Sequence, residues 1–264
     1  MSEPIIALDD VSKLYGSPRK GIEGTLAVDR VSLELRAGET LGLVGSSGSG
    51  KSTLGRMMTL LEQPTSGRIR FRGEDTSTLS RSAMRSFRRT VQPVFQDPYS
   101  SLNPTMSVAA LISEPWRIHG TLPRRAWSGR VDDLLDAVGL SARLRASKPG
   151  ALSGGQRQRV GIARALALEP EVLICDEPVS ALDVSVQAQI LVLLKGLQES
   201  FGLACVFITH DMTVVSYIAQ RVAVMKSGRI VEIAPTAELF SDPREEFTRT
   251  LIRDAKRLHG DATG

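Results

Sequence analysis

A glycine-rich segment with a single lysine is the first part of this sequence that could do chemistry. The letters GSSGSGKST follow the apolar run TLGLV and precede LGRMMTLL, a run typical of a helix. Small residues let successive backbone N–H groups point into one concavity, and a helix that begins there adds partial positive charge. The pattern therefore predicts a loop that binds the phosphates of a nucleotide. Its residues are Gly45, Ser46, Ser47, Gly48, Ser49, Gly50, Lys51, Ser52 and Thr53.

Two side chains of this loop have predicted roles of their own. The ammonium group of Lys51 is expected to reach the β- and γ-phosphates, and the hydroxyl of Ser52 is a ligand suited to Mg²⁺. A flexible Gly/Ser-rich linker is the alternative interpretation. A linker would not be expected between an apolar strand and a helix with lysine at this offset, so we favour the nucleotide site.

A pair of carboxylates at the end of a second apolar run could supply the hydrolytic chemistry. In VLICDE, Asp176 and Glu177 follow four apolar residues, at the end of a strand where α/β proteins place their ligands. Adjacent carboxylates repel each other unless a cation or a proton lies between them. We expect Asp176 to hold Mg²⁺ through water and Glu177 to polarise the attacking water. The alternative is a turn of acidic residues before Pro178.

Two further polar residues follow apolar segments. His210 ends ACVFITH, and a neutral imidazole there could donate a hydrogen bond to a γ-phosphate oxygen. Gln96 lies in VFQDP and is expected to reach the metal or the water from the inserted segment. A purely structural histidine is the alternative for His210.

The segment LSGGQRQRV has the sequence of an unusual helix start. Ser153 and Gln156 are spaced as a capping box, which satisfies N–H groups at a helix N-terminus. Gly154 and Gly155 occupy the first turn, although each glycine is about 1 kcal/mol less favourable than alanine inside a helix. An ordinary capping box explains the serine and the glutamine, and it leaves the two glycines unexplained.

The elements that must position these residues follow from the hydrophobic periodicity. Short strands are predicted in the first third of the chain, and from about residue 78 to 168 the pattern is helical. Strands return at EVLICDE and LACVFITH with a helix between them, which indicates a parallel sheet with right-handed crossovers. RVAVMKSGRIVEIA is typical of a hairpin, and the tail from TAELF is predicted to be helical.

Composition sets limits on the class of protein. The chain has 264 residues, 42% hydrophobic composition and a formal net charge of +4, which is a mild excess compatible with several kinds of partner. It contains no apolar run of the roughly 18 residues that a membrane span requires. The acidic N-terminal letters MSEPIIALDDV differ from those of a signal peptide. We therefore expect a soluble, cytosolic protein in which Cys175 and Cys205 are buried and reduced.

Together these segments resemble the ATP-binding cassette (ABC) ATPases over nearly the whole chain. Six family motifs occur in family order: GSSGSGKST (Walker A), VFQDP (Q-loop), LSGGQRQRV (signature), VLICDE (Walker B), SALD (D-loop) and ITH (switch histidine). The resemblance implies an α/β fold with a P-loop NTPase core, a parallel sheet, an N-terminal antiparallel β subdomain and an inserted α-helical subdomain. It implies one ABC ATPase domain over residues 1–264, with the insertion at about 97–160 and a C-terminal extension at about 236–264.

The resemblance also assigns roles within a head-to-tail pair of ATPases that bind ATP and Mg²⁺. Each signature motif would cap the ATP bound to the partner's phosphate loop, and its glycines would keep that approach clear. Tyr15 would stack on adenine, with a core or loop tyrosine as the alternative, and Asp183 would bridge the dimer. The implied catalytic residues are Lys51, Glu177 and His210. The implied metal ligands are Ser52, Gln96 and Asp176, and the implied nucleotide contacts beyond the loop are Tyr15, Gln96, Ser153, Gly154, Gly155, Gln156 and Asp183.

A narrower resemblance is carried by FQDPYSSLNPTMSV and DEPVSALDVSVQAQIL. These runs are similar to the ATPase subunits of bacterial dipeptide and oligopeptide importers, a branch that includes nickel importers. The branch implies transmembrane permease subunits, a second identical or related ATPase chain, an extracytoplasmic solute-binding protein and a peripheral place on the cytoplasmic face of the membrane. Contact or scaffold residues toward the permease would be Tyr99, Leu102, Asn103 and Pro104.

Two departures from the branch and two alternatives bear on the substrate. REEFTRTLI stands where a His-Pro-Tyr-Thr-Arg run is common, and the cysteines that ligate an iron–sulfur cluster in some relatives are absent. One alternative is the ATPase of another transporter, for nickel or a different solute. The other is a non-transport ABC protein acting on nucleic acid. Because the chain has one cassette and no heptad array or cysteine cluster, no nucleic acid partner is expected.

Overall fold

The computed structural model describes residues 3–16 and 24–260, which fall into two compact units. The first unit runs to Ser80 and resumes at Ala204, and the second unit is Arg81–Leu203. Strands and helices are numbered below in chain order.

The first unit contains an antiparallel sheet built from the N-terminal strands. Its strands lie in the order β2-β1-β4-β5, and β1 pairs with both β2 and β4. Apolar side chains alternate with polar ones along β2, so one face is buried and the other is exposed. The strands are β1 (Ile6–Tyr15), β2 (Thr25–Leu35), β4 (Ser66–Phe71) and β5 (Glu74–Asp75).

The same unit contains a parallel set of strands that carries the phosphate loop. All five residues of β3 and all six of β8 are buried, as expected for parallel strands covered on both faces. Strands β8 and β9 flank β3 in parallel, and β10 forms the predicted hairpin with β9. The strands are β3 (Thr40–Val44), β8 (Ala204–Thr209), β9 (Arg221–Lys226) and β10 (Arg229–Pro235). The helices of this unit are α1 (Lys51–Met58), α8 (Met212–Ile218), α9 (Thr236–Ser241) and α10 (Glu246–Gly260).

The second unit consists mainly of helices around one buried helix. Its elements are α2 (Arg81–Thr90), β6 (Val91–Val94), α3 (Pro98–Ser101), α4 (Val108–His119), α5 (Trp127–Ala137), α6 (Gly154–Leu166), β7 (Val172–Asp176) and α7 (Val184–Phe201). Helix α6 buries most of its residues, and the indole of Trp116 on α4 donates to the Ala167 carbonyl just beyond α6, at 2.6 Å.

The sequence predicts a helical pattern from about residue 78 to 168, and this prediction is wrong for residues 91–94. Residues Val91–Val94 form β6, which pairs in parallel with β7. Val91 and Val94 are both buried, and pairing with the buried β7 outweighs the helical context of a four-residue segment. This strand matters because Gln96 follows it.

The structure can also be compared with the predictions about the cysteines, membrane-spanning helices and the domain bounds. Cys175 and Cys205 are buried thiols, and neither is in a disulfide. Among the described residues, none of the helices combines the length and the hydropathy needed to cross a bilayer. The predicted bounds of the inserted subdomain and of the C-terminal extension stay predictions, and residues 261–264 of that extension lie outside the described part of the chain.

Candidate functional site

The phosphate loop is held so closely by neighbouring strands that two of its glycines cannot carry a side chain. A Cβ atom at Gly45 would lie 2.1 Å from the Met225 carbonyl oxygen, and one at Gly50 would lie 2.1 Å from the Ala27 oxygen. Gly50 also has a φ of 103°, which L-residues rarely adopt. A Cβ at Gly48 would meet nothing within 4 Å. Gly45 and Gly50 are therefore required by close approach, whereas Gly48 lies on the open side.

Lys51 is folded into the loop that precedes it. Its side chain is buried, and Nζ donates to the carbonyl oxygens of Gly45 and Ser46 at 3.0 and 2.9 Å. A buried ammonium group needs such partners because desolvation is costly. These two carbonyl oxygens are uncharged, so a phosphate anion would be a stronger acceptor for the same group.

The helix that follows the loop begins without a side-chain cap. Gly50 is its N-cap and makes no side-chain hydrogen bond, and the first turn of α1 contains no acidic residue. The first N–H groups of a helix carry partial positive charge, so this end is suited to an anion. Among the described residues, no group of three or more His, Cys, Asp or Glu is arranged to hold a metal ion. A metal here would need phosphate oxygens and hydroxyls such as that of Ser52 among its ligands.

Strand register brings His210 to the phosphate loop. Val44 pairs with Thr209 in the parallel β3–β8 ladder, so Gly45 and His210 leave the same edge of the sheet on adjacent strands. His210 is exposed, and Asp211 after it caps α8 by accepting from the N–H of Thr213 at 2.7 Å. This is the carboxyl edge, where α/β folds bind ligands.

Tyr15 ends β1 with its ring partly exposed. The residue is 37% exposed, and its hydroxyl donates a hydrogen bond to Glu62. Partial burial, and then this hydrogen bond, raise the pKa of Tyr15, while a hydrogen bond with Thr53 of α1 acts in the opposite direction. A core tyrosine would be more completely buried, so the exposure favours a ring available to a ligand.

Gln96 and Glu177 meet through the register of the second unit's strands. Val94 pairs with Cys175 in the parallel β6–β7 ladder, which places the residues two positions further on opposite each other. The Gln96 amide Nε2 donates to Glu177 Oε2 at 3.1 Å and to Ser180 Oγ at 3.2 Å. The sequence patterns assign no role to Ser180, although it is the first residue of the SALD motif.

The backbone at Glu177 is in an uncommon conformation. Its φ is +45°, the left-handed region, which is costly for a residue with a Cβ. Its carbonyl oxygen accepts from the N–H and the hydroxyl of Ser180 at 3.3 and 3.1 Å. Asp176, the last residue of β7, is half-buried beside it. Such strain is found where a side chain must be aimed in one direction.

The signature segment forms the predicted capping box. The Gln156 N–H donates to Ser153 Oγ at 3.3 Å, and the Ser153 N–H donates to Gln156 Oε1 at 3.0 Å. A serine oxygen that accepts in this way keeps its O–H as a donor, and the glutamine keeps its NH₂ group. The helix start therefore offers donors to an anion.

The structure adds a packing reason for the paired glycines. A Cβ at Gly155 would lie 2.5 Å from Val186 Cγ1 of α7, and one at Gly154 would lie 3.2 Å from Leu182 Cδ2. Gly155 is thus required by packing within the chain itself. Packing alone explains Gly155, and a clear approach for a partner's ligand stays a prediction for both glycines.

Asp183 has a local role in the same region. Its Oδ1 accepts from the Val186 N–H at 3.0 Å and from the Ser185 hydroxyl at 2.8 Å, so it is the N-cap of α7. The hydrogen bond from Val186, and then that from Ser185, hold the pKa of Asp183 below its ordinary value. A bridge across a dimer would be an additional role and stays a prediction.

The arginines after the signature glycines point inward. The Arg157 guanidinium is buried, donates through Nε to the Pro149 oxygen at 2.6 Å, and lies 3.7 Å from the centroid of the Tyr99 ring. Two helical turns further along α6, Arg164 donates to the Ser101 carbonyl at 2.7 Å. Burial lowers the pKa of Arg164 from its ordinary value. Helix α6 is therefore joined directly to the segment around α3.

The residues predicted to face a permease separate into two kinds. Tyr99 is 66% exposed although its ring packs on Arg157, so it is available for contact. Leu102 is only 1% exposed and belongs to the scaffold. Asn103 Oδ1 accepts from the N–H and the hydroxyl of Thr105 at 3.0 and 2.8 Å, which fixes a turn that contains the exposed Pro104.

Comparison with known proteins identifies the family. A family model described as ABC transporter matches residues 28–180, which is more than half of the chain. The chain belongs to the ABC transporter family. The predicted membership is therefore confirmed.

Curated relatives of this ABC protein are similar over almost its whole length. A putative peptide import ATP-binding protein of Brucella abortus (strain 2308) is 48% identical over 259 residues, covering 97% of this chain and 78% of the relative. The oligopeptide transport ATP-binding protein AppF of Bacillus subtilis (strain 168) is 47% identical over 255 residues, covering 95% and 78%.

Solved structures of ABC proteins share the fold. The cbiO1 protein of Clostridium perfringens, part of the ABC transporter complex cbiONQ, has a TM-score of 0.80 at 30% identity, covering 99% of this chain and 98% of that one. The ATP-binding cassette MJ0796, in a dimeric post-hydrolysis state bound to ADP and Pi, has a TM-score of 0.78 at 32% identity, covering 88% and 98%. The predicted α/β ABC ATPase fold is confirmed, and the roles of individual site residues stay predictions.

Proposed function

We propose that this ABC ATPase is the ATP-binding and ATP-hydrolysing subunit of a bacterial importer for dipeptides or oligopeptides. The observation that carries the ATP site is the uncapped start of α1 after a loop in which the buried Lys51 Nζ lies against the carbonyl oxygens of Gly45 and Ser46. The names of the relatives from Brucella abortus and Bacillus subtilis support peptides as the transported class.

The residues have distinct parts in the proposed hydrolysis. Lys51 and the N–H groups of the loop bind the β- and γ-phosphates, and Tyr15 stacks on adenine. Glu177, held by Gln96 at 3.1 Å, orients the attacking water, and His210 donates to a γ-phosphate oxygen. Mg²⁺, held by Ser52, by Gln96 and through water by Asp176, would supply charge neutralisation between the phosphates.

A second ATPase chain completes each site in this proposal. Ser153, Gly154 and Gln156 present a hydroxyl, a backbone N–H and a side-chain amide at a helix start, which suits the γ-phosphate bound by the partner. A dimeric relative bound to ADP and Pi supports the pairing. Closure would bury two ATP molecules between chains, and their differential affinity for the closed pair would drive the transport cycle.

The remaining partners follow from the transport role. We infer two transmembrane permease subunits and an extracytoplasmic solute-binding protein, with this chain attached to the cytoplasmic face of the membrane. The exposed Tyr99, whose ring packs on the Arg157 guanidinium, supplies the permease contact.

The Lys51→Ala variant tests the ATP site. Loss of a charge-assisted hydrogen bond costs about 1.5–3 kcal/mol, so MgATP affinity measured by calorimetry should fall by about 10-fold to 100-fold. Lys226→Ala, which removes an exposed lysine of the same unit, should leave the affinity unchanged. Unchanged MgATP affinity in a folded Lys51→Ala protein would reject the site.

The Tyr99→Ala variant tests the permease contact. An interface anchor contributes about 1 kcal/mol or more, so affinity for detergent-solubilised permease should fall about fivefold or more, with MgATP affinity unchanged. Phe201→Ala is a matched control because Phe201 is a 58% exposed aromatic residue of the same unit. Equal permease affinity of both variants would exclude Tyr99 as an anchor.

A further inference from the structure

The aromatic ring of Tyr15 is held by charged groups that none of the sequence motifs contains. Glu62 accepts from the Tyr15 hydroxyl, and Lys13 Nζ lies 3.6 Å from Glu62 Oε2. Arg56 of α1 completes the group, with Nη1 at 3.4 Å from Glu62 Oε1. These four residues, Lys13, Tyr15, Arg56 and Glu62, are called the Glu62 cluster below.

The backbone around the cluster is fixed at both ends. The N–H of Glu62 donates to the Arg56 carbonyl at 3.2 Å, so the turn after α1 is closed on the helix itself. Across the turn, Lys13 Nζ donates to the Gln63 carbonyl at 2.8 Å, and the N–H of Leu14 donates to Thr65 Oγ1 at 3.0 Å. The end of β1 is thereby joined to the segment that follows the phosphate-loop helix.

The charge balance explains why a carboxylate is present at this place. Two cations and one phenol converge on Glu62, whose side chain is 20% exposed, so its two oxygens have partners on separate elements. Lys13 also lies 5.3 Å from the centroid of the Tyr15 ring, a cation–π distance that further limits the ring's orientation. Without Glu62, the two cations would repel each other and the hydroxyl would lose its acceptor.

We propose that Glu62 is a positioning residue that holds the Tyr15 ring in the orientation needed to stack on the adenine base and links that ring to the phosphate-loop helix through Arg56. This inference rests on the proposed function, because it needs ATP in the site. A stacking ring contributes most when its rotation is already restricted before the ligand binds. Glu62 thus makes recognition of the base part of the same rigid structure that binds the phosphates.

The ionisation of the cluster agrees with this role near neutral pH. Partial burial raises the pKa of Glu62, but the hydrogen bonds from Tyr15 and Arg56 and the charge of Lys13 outweigh it and hold the pKa below its ordinary value. A lowered folded-state pKa means that the contribution of Glu62 is fully present above the ordinary carboxyl pKa and is lost as the pH falls through the lowered one. The positioning should therefore be constant from pH 6 to 8.

The test compares a ligand that has a base with one that has none. Affinities of the whole chain for MgATP and for magnesium tripolyphosphate are measured by calorimetry in the wild type and in Glu62→Ala. We expect MgATP affinity to fall about twofold to tenfold, a range set by one aromatic stacking contact, and tripolyphosphate affinity to stay constant. Tyr15→Ala should show the same selective loss.

Three single variants and one double variant separate positioning from a general loss of structure. Glu62→Gln keeps an acceptor for the phenol and should retain most of the MgATP affinity, and Gln63→Ala is a neighbour whose side chain lies outside the cluster. Tyr15→Phe removes the donor, so adding Glu62→Ala to it should cause no further loss.

Each contrary result has one meaning. Equal losses for MgATP and tripolyphosphate in Glu62→Ala would show that Glu62 supports α1 only, which overturns the inference. Unchanged MgATP affinity in Glu62→Ala or in Tyr15→Ala would overturn it as well. Absence of binding of both ligands to the wild type would instead reject the proposed ATP site.

Discussion

Purified Glu177→Gln protein is expected to bind MgATP normally and to lose ATP turnover by about 10²-fold to 10⁴-fold, the contribution of a positioned general base. The amide has the shape of the carboxylate, and its oxygen can still accept from Gln96 Nε2, which donates at 3.1 Å in the native site. It has no negative charge with which to polarise water. Phosphate release in steady state measures turnover, and calorimetry measures binding.

The same variant should reveal the closed pair of chains. If hydrolysis normally reopens the dimer, ATP should convert Glu177→Gln protein from monomer to a stable dimer detected by light scattering. Glu199→Gln, an exposed acid-to-amide change on α7 of the same unit, serves as the matched control and should hydrolyse ATP like the wild type. Turnover near the wild-type rate in Glu177→Gln would show that another group orients the water.

Gly154→Asp should lower the rate of ATP hydrolysis by about 10²-fold or more and leave each chain's own ATP affinity nearly intact. A carboxylate at this helix start would face the incoming γ-phosphate of the partner's nucleotide, and like charges in a closed, water-poor site repel strongly. It would also remove the attraction that the bare helix start offers to an anion.

The packing of the two glycines determines the control for this experiment. A Cβ at position 154 lies 3.2 Å from the end of the Leu182 side chain, which can shift by a few tenths of an ångström. Gly154→Ala therefore tests the added carbon alone and should retain most of the turnover. A change at Gly155 would be uninformative because its Cβ would lie 2.5 Å from Val186 Cγ1.

ATP affinity of monomeric Gly154→Asp is the decisive measurement. A value near that of the wild type, with hydrolysis absent, supports a signature motif that serves the partner's nucleotide. An affinity that falls as far as expected for Lys51→Ala would mean that the motif serves the nucleotide of its own chain, which contradicts the proposed pairing.

The sequence by itself determined the features that depend on neighbouring residues. The run GSSGSGKST indicates a phosphate loop before a helix from adjacent residues alone, and Ser153 with Gln156 defines a capping box within four positions. The apolar runs of β3 and β8 indicate buried parallel strands for the same reason. Because the family motifs are local patterns of this kind, the fold and the family could be predicted.

Tertiary structure alone decided which distant residues meet. Gln96 and Glu177 are 81 positions apart, and Tyr15 and Glu62 are 47 apart, so their contacts depend on strand register and on the turn after α1. The short β6 was missed because four residues carry too weak a pattern without their partner strand. Gly155 likewise has a reason only when Val186 is in place. Local geometry is encoded by adjacent residues, whereas register and packing depend on the whole set of long-range contacts.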